Sequence, residues 1–206
     1  GSQGLRQRED GQDARGGLVS IKVYLAGPEV FLPNAREQLD IKIALTKAAG
    51  LIPVSPGDLV IPQKPTRHEF GLAVSEIDAQ LMDSADAIIA NLTPFRGIAA
   101  DTGTVFELGY MCGKGKLAYA YSNVADDHYA RTKAYYGGDT HHTADGRERG
   151  PDGLSLEDFD MIDNLMLDGG VERRGGVMVG RGVPEAERYT NTEAFEECLR
   201  LLAAQS

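Results

Sequence analysis

Cysteine is scarce: Cys112 and Cys198 are the only two. Each lies beside apolar residues in a segment that reads as helix, which excludes a disulfide scaffold and fits a reducing compartment, so the cytoplasm is the expected location. Long apolar runs are also missing. Stretches such as Ala85–Asn91, interrupted by Asp86, fall far short of the roughly 18 residues a membrane span needs, so no membrane partner is expected. Basic residues are outnumbered, 21 Lys and Arg against 31 Asp and Glu, for a net charge of −10. No basic patch offsets that sign, which repels phosphate backbones, and no nucleic-acid partner is expected. His68, His128, His141 and His142 show no metal-ligand spacing with Cys or Glu, and the adjacent pair reads as a solvated loop; no metal is expected. A G-x-G-x-x-G fingerprint and a Walker lysine are absent, so neither a dinucleotide nor a triphosphate is favoured, and no cofactor is expected.

What remains is ordinary globular material: 42% apolar and 25% charged residues over a length of 206, enough for one domain with a sizeable core. Residues 1–20 have little to bury and read as a disordered tail or tag remnant, leaving a single domain over 21–206. Asn123–Gly153 mixes Tyr, Asp, His and Gly without period and reads as an irregular surface insertion, a candidate lid.

Elsewhere strands and helices alternate. Ile21–Ala26 is an apolar strand, and Asn34 caps a helix over Asn34–Ala49 whose Ala35, Leu39 and Ile43 share a face. Leu51–Val54 is a second strand. Phe70, Val74, Ile77 and Leu81 mark a helix, Ala87–Asn91 a buried strand, Thr104–Cys112 a helix and Leu117–Tyr121 a strand. Gly176–Val179 supplies a fifth strand, and Thr192–Ala204 a last helix with Phe195, Leu199 and Leu202 inward. This alternation implies a doubly wound, flavodoxin-like α/β fold, a five-stranded parallel sheet with helices on both faces. In strand order 2-1-3-4-5, ligands bind where winding reverses, beyond the ends of the first and third strands. That rule selects the loops Gly27–Phe31 and Leu92–Asp101. Glu29 sets an acid where a phosphate would sit, favouring neutral ligands, although Arg96 beside Gly97 offers a place for a single phosphate.

The second loop runs into a helix bearing Glu107 among Val105, Phe106, Leu108 and Tyr110. Asp101 precedes it by six residues, about 240° away around a helix, so it reaches any shared site from the loop. Asp78 borders the apolar stripe of its own helix, where a carboxylate is costly unless paired or wet. Plain structural roles compete at each position: Asp101 as a helix cap, Glu107 as an exposed helix residue, Asp78 as a solvent-screened boundary acid.

Four motifs in order, Tyr24-Leu25-Ala26-Gly27-Pro28, Glu76-Ile77-Asp78, Asp101-x-Gly103-Thr104-x-x-Glu107-Leu108-Gly109 and Asp163-Asn164-Leu165-Met166-Leu167, resemble the nucleoside 2-deoxyribosyltransferase family. The likeness spans roughly Ile21 to Leu167. It implies that Glu107 attacks the anomeric carbon of a 2′-deoxynucleoside, giving a covalent, retaining glycosyl-enzyme that a second free nucleobase captures. It further implies that Tyr24 orients Glu107, Asp78 exchanges a proton with the nucleobase, and Asp101 holds the sugar hydroxyls. Gly27, Pro28 and Phe95 would line the substrate, and Asn164 would reach the sugar's 5′ end from a neighbouring subunit with Met166 on the same wall. A homodimer or higher homo-oligomer follows. Tyr24 as a sheet-face aromatic, Asn164 as a turn cap and Met166 as core are the competing roles. Two other activities stay open: an N-glycosidase acting on deoxynucleosides or their 5′-monophosphates, and a non-catalytic nucleotide sensor.

Overall fold

The computed structural model describes residues 20–55 and 61–205. Except for Ser20, the tail expected over 1–20 lies outside these residues. Five parallel strands form one sheet in the order β2-β1-β3-β4-β7: β1 Lys22–Ala26, β2 Ile52–Val54, β3 Ala87–Asn91, β4 Leu117–Ser122 and β7 Met178–Gly180. The expected strand order and fifth strand are both observed. Each helix-sized crossover is the connection that parallel pairing demands.

The alternation of side chains along each strand divides the core in two. Val23, Leu25, Ala87, Ile89, Tyr119 and Tyr121 face one side, where α6 (Glu193–Ala203) buries Phe195, Cys198, Leu199 and Leu202. Ile43 and Leu45 of α1 (Ala35–Ala48) pack against the same cluster. Tyr24, Ala26, Ile88, Ala90, Ala118 and Ala120 face the other side, beneath α2 (Arg67–Ser84), α3 (Thr102–Gly113) and α5 (Leu165–Arg173). Small residues on that face let α3 and α5 approach the sheet closely.

Two expectations are revised. The innermost residues of α1 are Gln38, Lys42 and Thr46, not the Ala35, Leu39 and Ile43 stripe, which is only half-buried. The reason is a buried acid beneath the helix, described below. The insertion is not irregular: it holds α4 (His128–Tyr135) and a two-stranded antiparallel ribbon, β5 (His141–His142) with β6 (Glu148–Arg149). Asp127 begins α4 by accepting the amide of Ala130 at 2.7 Å, a cap that hydrophobic period does not reveal.

Candidate active site

Because Tyr24 is the third residue of β1, it points to the face covered by α2 and α3. Its hydroxyl donates to Oε1 of Glu107 on α3 at 2.8 Å, across 83 residues of sequence. Burial pushes the Glu107 carboxyl up to about 7; the Tyr24 hydrogen bond pulls the other way, and the charges of Asp78 and Asp101 add to the rise. Burial, reinforced by Glu107, raises the Tyr24 phenol far above its ordinary value, so it remains a neutral donor. The structure therefore brings Tyr24, Asp78, Asp101 and Glu107 into electrostatic contact.

Asp78 lies on α2, half-buried, and burial raises its carboxyl. Its Oδ1 is buried with no hydrogen-bond partner among the described residues. Withdrawal from water makes a carboxyl hold its proton to higher pH than usual. Asp101 is the N-cap of α3: its Oδ2 accepts the Thr104 amide at 3.0 Å and the Thr104 hydroxyl at 3.1 Å. The capping role and a place beside Glu107 thus coincide, with Oδ1 outside the cap.

The first loop differs from expectation. Pro28–Phe31 forms a 3-10 turn, and Glu29 does not face a ligand; it is buried. Its Oε1 accepts from Lys42 Nζ, from Asn91 Nδ2 at 2.6 Å and from the Tyr121 hydroxyl at 3.2 Å. The acid that was expected to repel phosphate is consumed inside the protein. Its carboxylate folds back beneath Gly27, where an added Cβ would fall 2.0 Å from Glu29 Oε2 and 2.9 Å from Asn91 Cβ. Gly27 is required by that close approach. Next to it an apolar cavity of about 310 Å³ lies between the loop and α1, lined by Leu25, Val30, Ala35 and Leu39. It opens on the α1 side of the sheet, opposite to Tyr24.

Phe95 stacks on Phe31 with ring centroids 5.3 Å apart, and Arg96 lies over both rings at 4.6 and 5.1 Å. The two loops are thereby joined at their tips, and Pro28 is buried behind them. Asn164 makes no hydrogen bond to Glu107. It caps α5, accepting the Met166 amide at 3.0 Å and donating to Glu157 Oε2 at 2.9 Å. Met166, 62% exposed, borders a groove with Leu108, Gly109 and Cys112, which lie about 100° to 200° around α3 from Glu107. It is not core.

Sequence reasoning missed Lys42, Asn91, Tyr121 and Arg131 as partners of buried acids. A signal existed for the first: Gln38, Lys42 and Thr46 recur every four residues, a polar stripe beside the apolar one. Among the described residues no group of His, Cys, Asp or Glu is placed to hold a metal ion, and no helix is long and apolar enough to cross a membrane.

Comparison with known proteins meets this geometry. The sequence profile described as Nucleoside 2-deoxyribosyltransferase matches residues 23–166, which hold Tyr24, Asp78, Asp101, Glu107 and Asn164. An uncharacterised Schizosaccharomyces pombe protein, C191.05c, is 31% identical over 194 residues, covering 89% of each chain. A solved structure described as a 2-desoxiribosyltransferase from Leishmania mexicana is 31% identical with a TM-score of 0.55, covering 71% of this chain and 85% of that one. A conserved Enterococcus faecalis protein shares the fold at 16% identity, with a TM-score of 0.54 over 88% of this chain and 98% of that one.

Proposed function

Because this chain belongs to the nucleoside 2-deoxyribosyltransferase family, we propose that it moves the 2-deoxyribosyl group between nucleobases of 2′-deoxynucleosides, with Glu107 as nucleophile. The observation that carries the reading is the Tyr24–Glu107 hydrogen bond at 2.8 Å, within the electrostatic reach of Asp78 and Asp101. In the first half-reaction a Glu107 oxygen bonds to C1′ as the C1′–N bond breaks. The bond's electrons go to the departing base, and Asp78 supplies the proton. In the second, a new base attacks C1′, the glutamate leaves as carboxylate, and Asp78 takes back a proton. Two displacements at one carbon retain its configuration. A half-buried Asp78 with a raised carboxyl suits both directions of transfer. Without a 2′-hydroxyl to withdraw electrons, the cation-like centre at C1′ forms more readily, which favours deoxyribosides.

Incubation with deoxyinosine and free adenine should yield deoxyadenosine. A slow 2-fluorinated deoxyriboside should label Glu107 in peptide mass spectra. Release of base with no exchange product moves the assignment to an N-glycosidase, and a label on another residue removes Glu107 from the mechanism.

We also propose that the active unit is a homo-oligomer in which Asn164 and Met166 complete a neighbour's site. Of the 18 residues of α2 only Met82 is buried, while Phe70, Leu72, Phe106 and Met166 are 42%, 58%, 67% and 62% exposed. So much apolar exposure on adjacent helices fits a covered face. An Asn164→Ala chain mixed with a Glu107→Ala chain should recover partial activity; no recovery in verified hetero-oligomers overturns the sharing.

A further inference from the structure

The mechanism above makes no use of the insertion, yet one of its side chains is tied to two substrate segments. Arg131 on α4 is 6% exposed. Its Nε donates to the carbonyl of Ile98 at 2.9 Å, within the loop that leads into Asp101. Its Nη1 donates to the carbonyls of Asp126 at 2.7 Å and Ile162 at 2.8 Å, and its Nη2 to Asp163 Oδ2 at 3.1 Å. Asp163 Oδ1 in turn accepts the backbone amide of Asn164 at 2.8 Å. A single guanidinium therefore joins the loop carrying Phe95 and Asp101 to the turn that presents Asn164. One turn earlier on α4, the His128 amide donates to the carbonyl of Met161 at 3.0 Å, seating the helix start on the same segment. His128 Nδ1, 3.7 Å from Asp163 Oδ1, is buried without a hydrogen-bond partner among the described residues.

A planar guanidinium serves acceptors in several directions at once; a lysine ammonium on a flexible stem does not hold that spacing. Four bonds from one buried group also argue against a segment that swings open, since each opening would leave a charge and several carbonyls unpaired in the interior.

We propose that Arg131 is a positioning residue that fixes both the Phe95–Asp101 loop and the Asn164 turn for sugar recognition, making α4 a brace and not a lid. The proposal rests on the functional reading above, together with the sugar-binding roles that the family resemblance implies for Asp101 and Asn164. A site built to bond a hydroxyl rejects an analogue that lacks it, and loses that rejection when its polar groups drift.

The test compares three donors carrying the base that the wild-type protein releases fastest: the 2′-deoxyriboside, the 2′,3′-dideoxyriboside and the 2′,5′-dideoxyriboside. Their kcat/KM ratios are measured for wild type, for Arg131→Lys, and for Arg131→Met/Asp163→Asn, which keeps the interior neutral if the single change does not fold. Both discrimination ratios should shrink at least fivefold in each variant, with preference among acceptor bases unchanged within twofold. Loss of folded protein lowers all three rates alike and leaves the ratios intact. Intact ratios, or narrowing at only one hydroxyl, therefore overturn the proposal. A wild-type protein that releases base from no donor overturns the functional reading, and this proposal with it.

Discussion

Two glutamates flank β1, and both are largely withdrawn from water. Glu29 meets Lys42, Asn91 and Tyr121, three donors, one of them a cation. Glu107 meets one neutral phenol and stands near two further acids. The first arrangement satisfies a carboxylate and removes it from chemistry. The second gives Glu107 a single hydrogen bond from a side chain while burial disfavours its ionised form, which suits the nucleophile proposed above. Burial alone does not mark a reactive acid; the identity of its partners does.

Removing the cation from the satisfied pair tests the contrast most severely. Lys42→Met strands Glu29 in the core and should cost about 3–5 kcal/mol of folding stability, whereas Lys42→Met/Glu29→Met should recover most of that loss. Urea unfolding of both variants decides it; a single variant as stable as wild type denies the pair its structural role.

Weakening the proposed nucleophile is the next largest effect. Tyr24→Phe should lower kcat/KM by roughly 10- to 150-fold, the equivalent of the 1.5–3 kcal/mol carried by one hydrogen bond to a charged group. Because that bond lowers the Glu107 carboxyl, its loss should carry the acidic limb of the pH profile to higher pH. A limb that stays or moves lower separates Tyr24 from Glu107 ionisation.

The smallest effect is a gain. Burial raises Glu107 from its ordinary value of 4.5 to about 7, so the native state holds a proton that the unfolded chain has already released between those values. Stability from this group is thus full below about 4.5 and declines as pH rises through about 7. Glu107→Gln, inactive but able to accept from Tyr24, should be more stable than wild type by about 1–2 kcal/mol at pH 8, with the gain vanishing near pH 4. Thermal melts across that pH range measure it, and a variant less stable at pH 8 contradicts the strained-carboxylate reading.

Much of this contrast was open to reading in one dimension. Tyr24 precedes Gly27-Pro28, and Glu107 stands in a run with Asp101 and Gly103, so the motif resemblance could pair them before any coordinates. The start of α2 went unread although Thr66 and Glu69, which form a capping box with reciprocal bonds at 3.0 and 3.1 Å, stand in the Ser/Thr-x-x-Glu spacing that announces a helix. Glu29 was misread because its position after β1 says that it is near the cleft and nothing about which way it turns. Lys42, 13 residues away, decides that direction. The insertion was misread because α4 is held by polar anchors, Arg131 above all, and not by an apolar stripe.

The sequence by itself determined the five strands of the parallel sheet, the helices α1, α2, α3 and α6 that cover it, and the set of acids at its switch point. Those follow from local period, from chain handedness and from motifs that stay close along the chain. Only the tertiary structure decided which acid is neutralised and which is left strained. That outcome depends on donors brought from distant elements into a space that excludes water, and a carboxylate's energy there is set by the atoms around it.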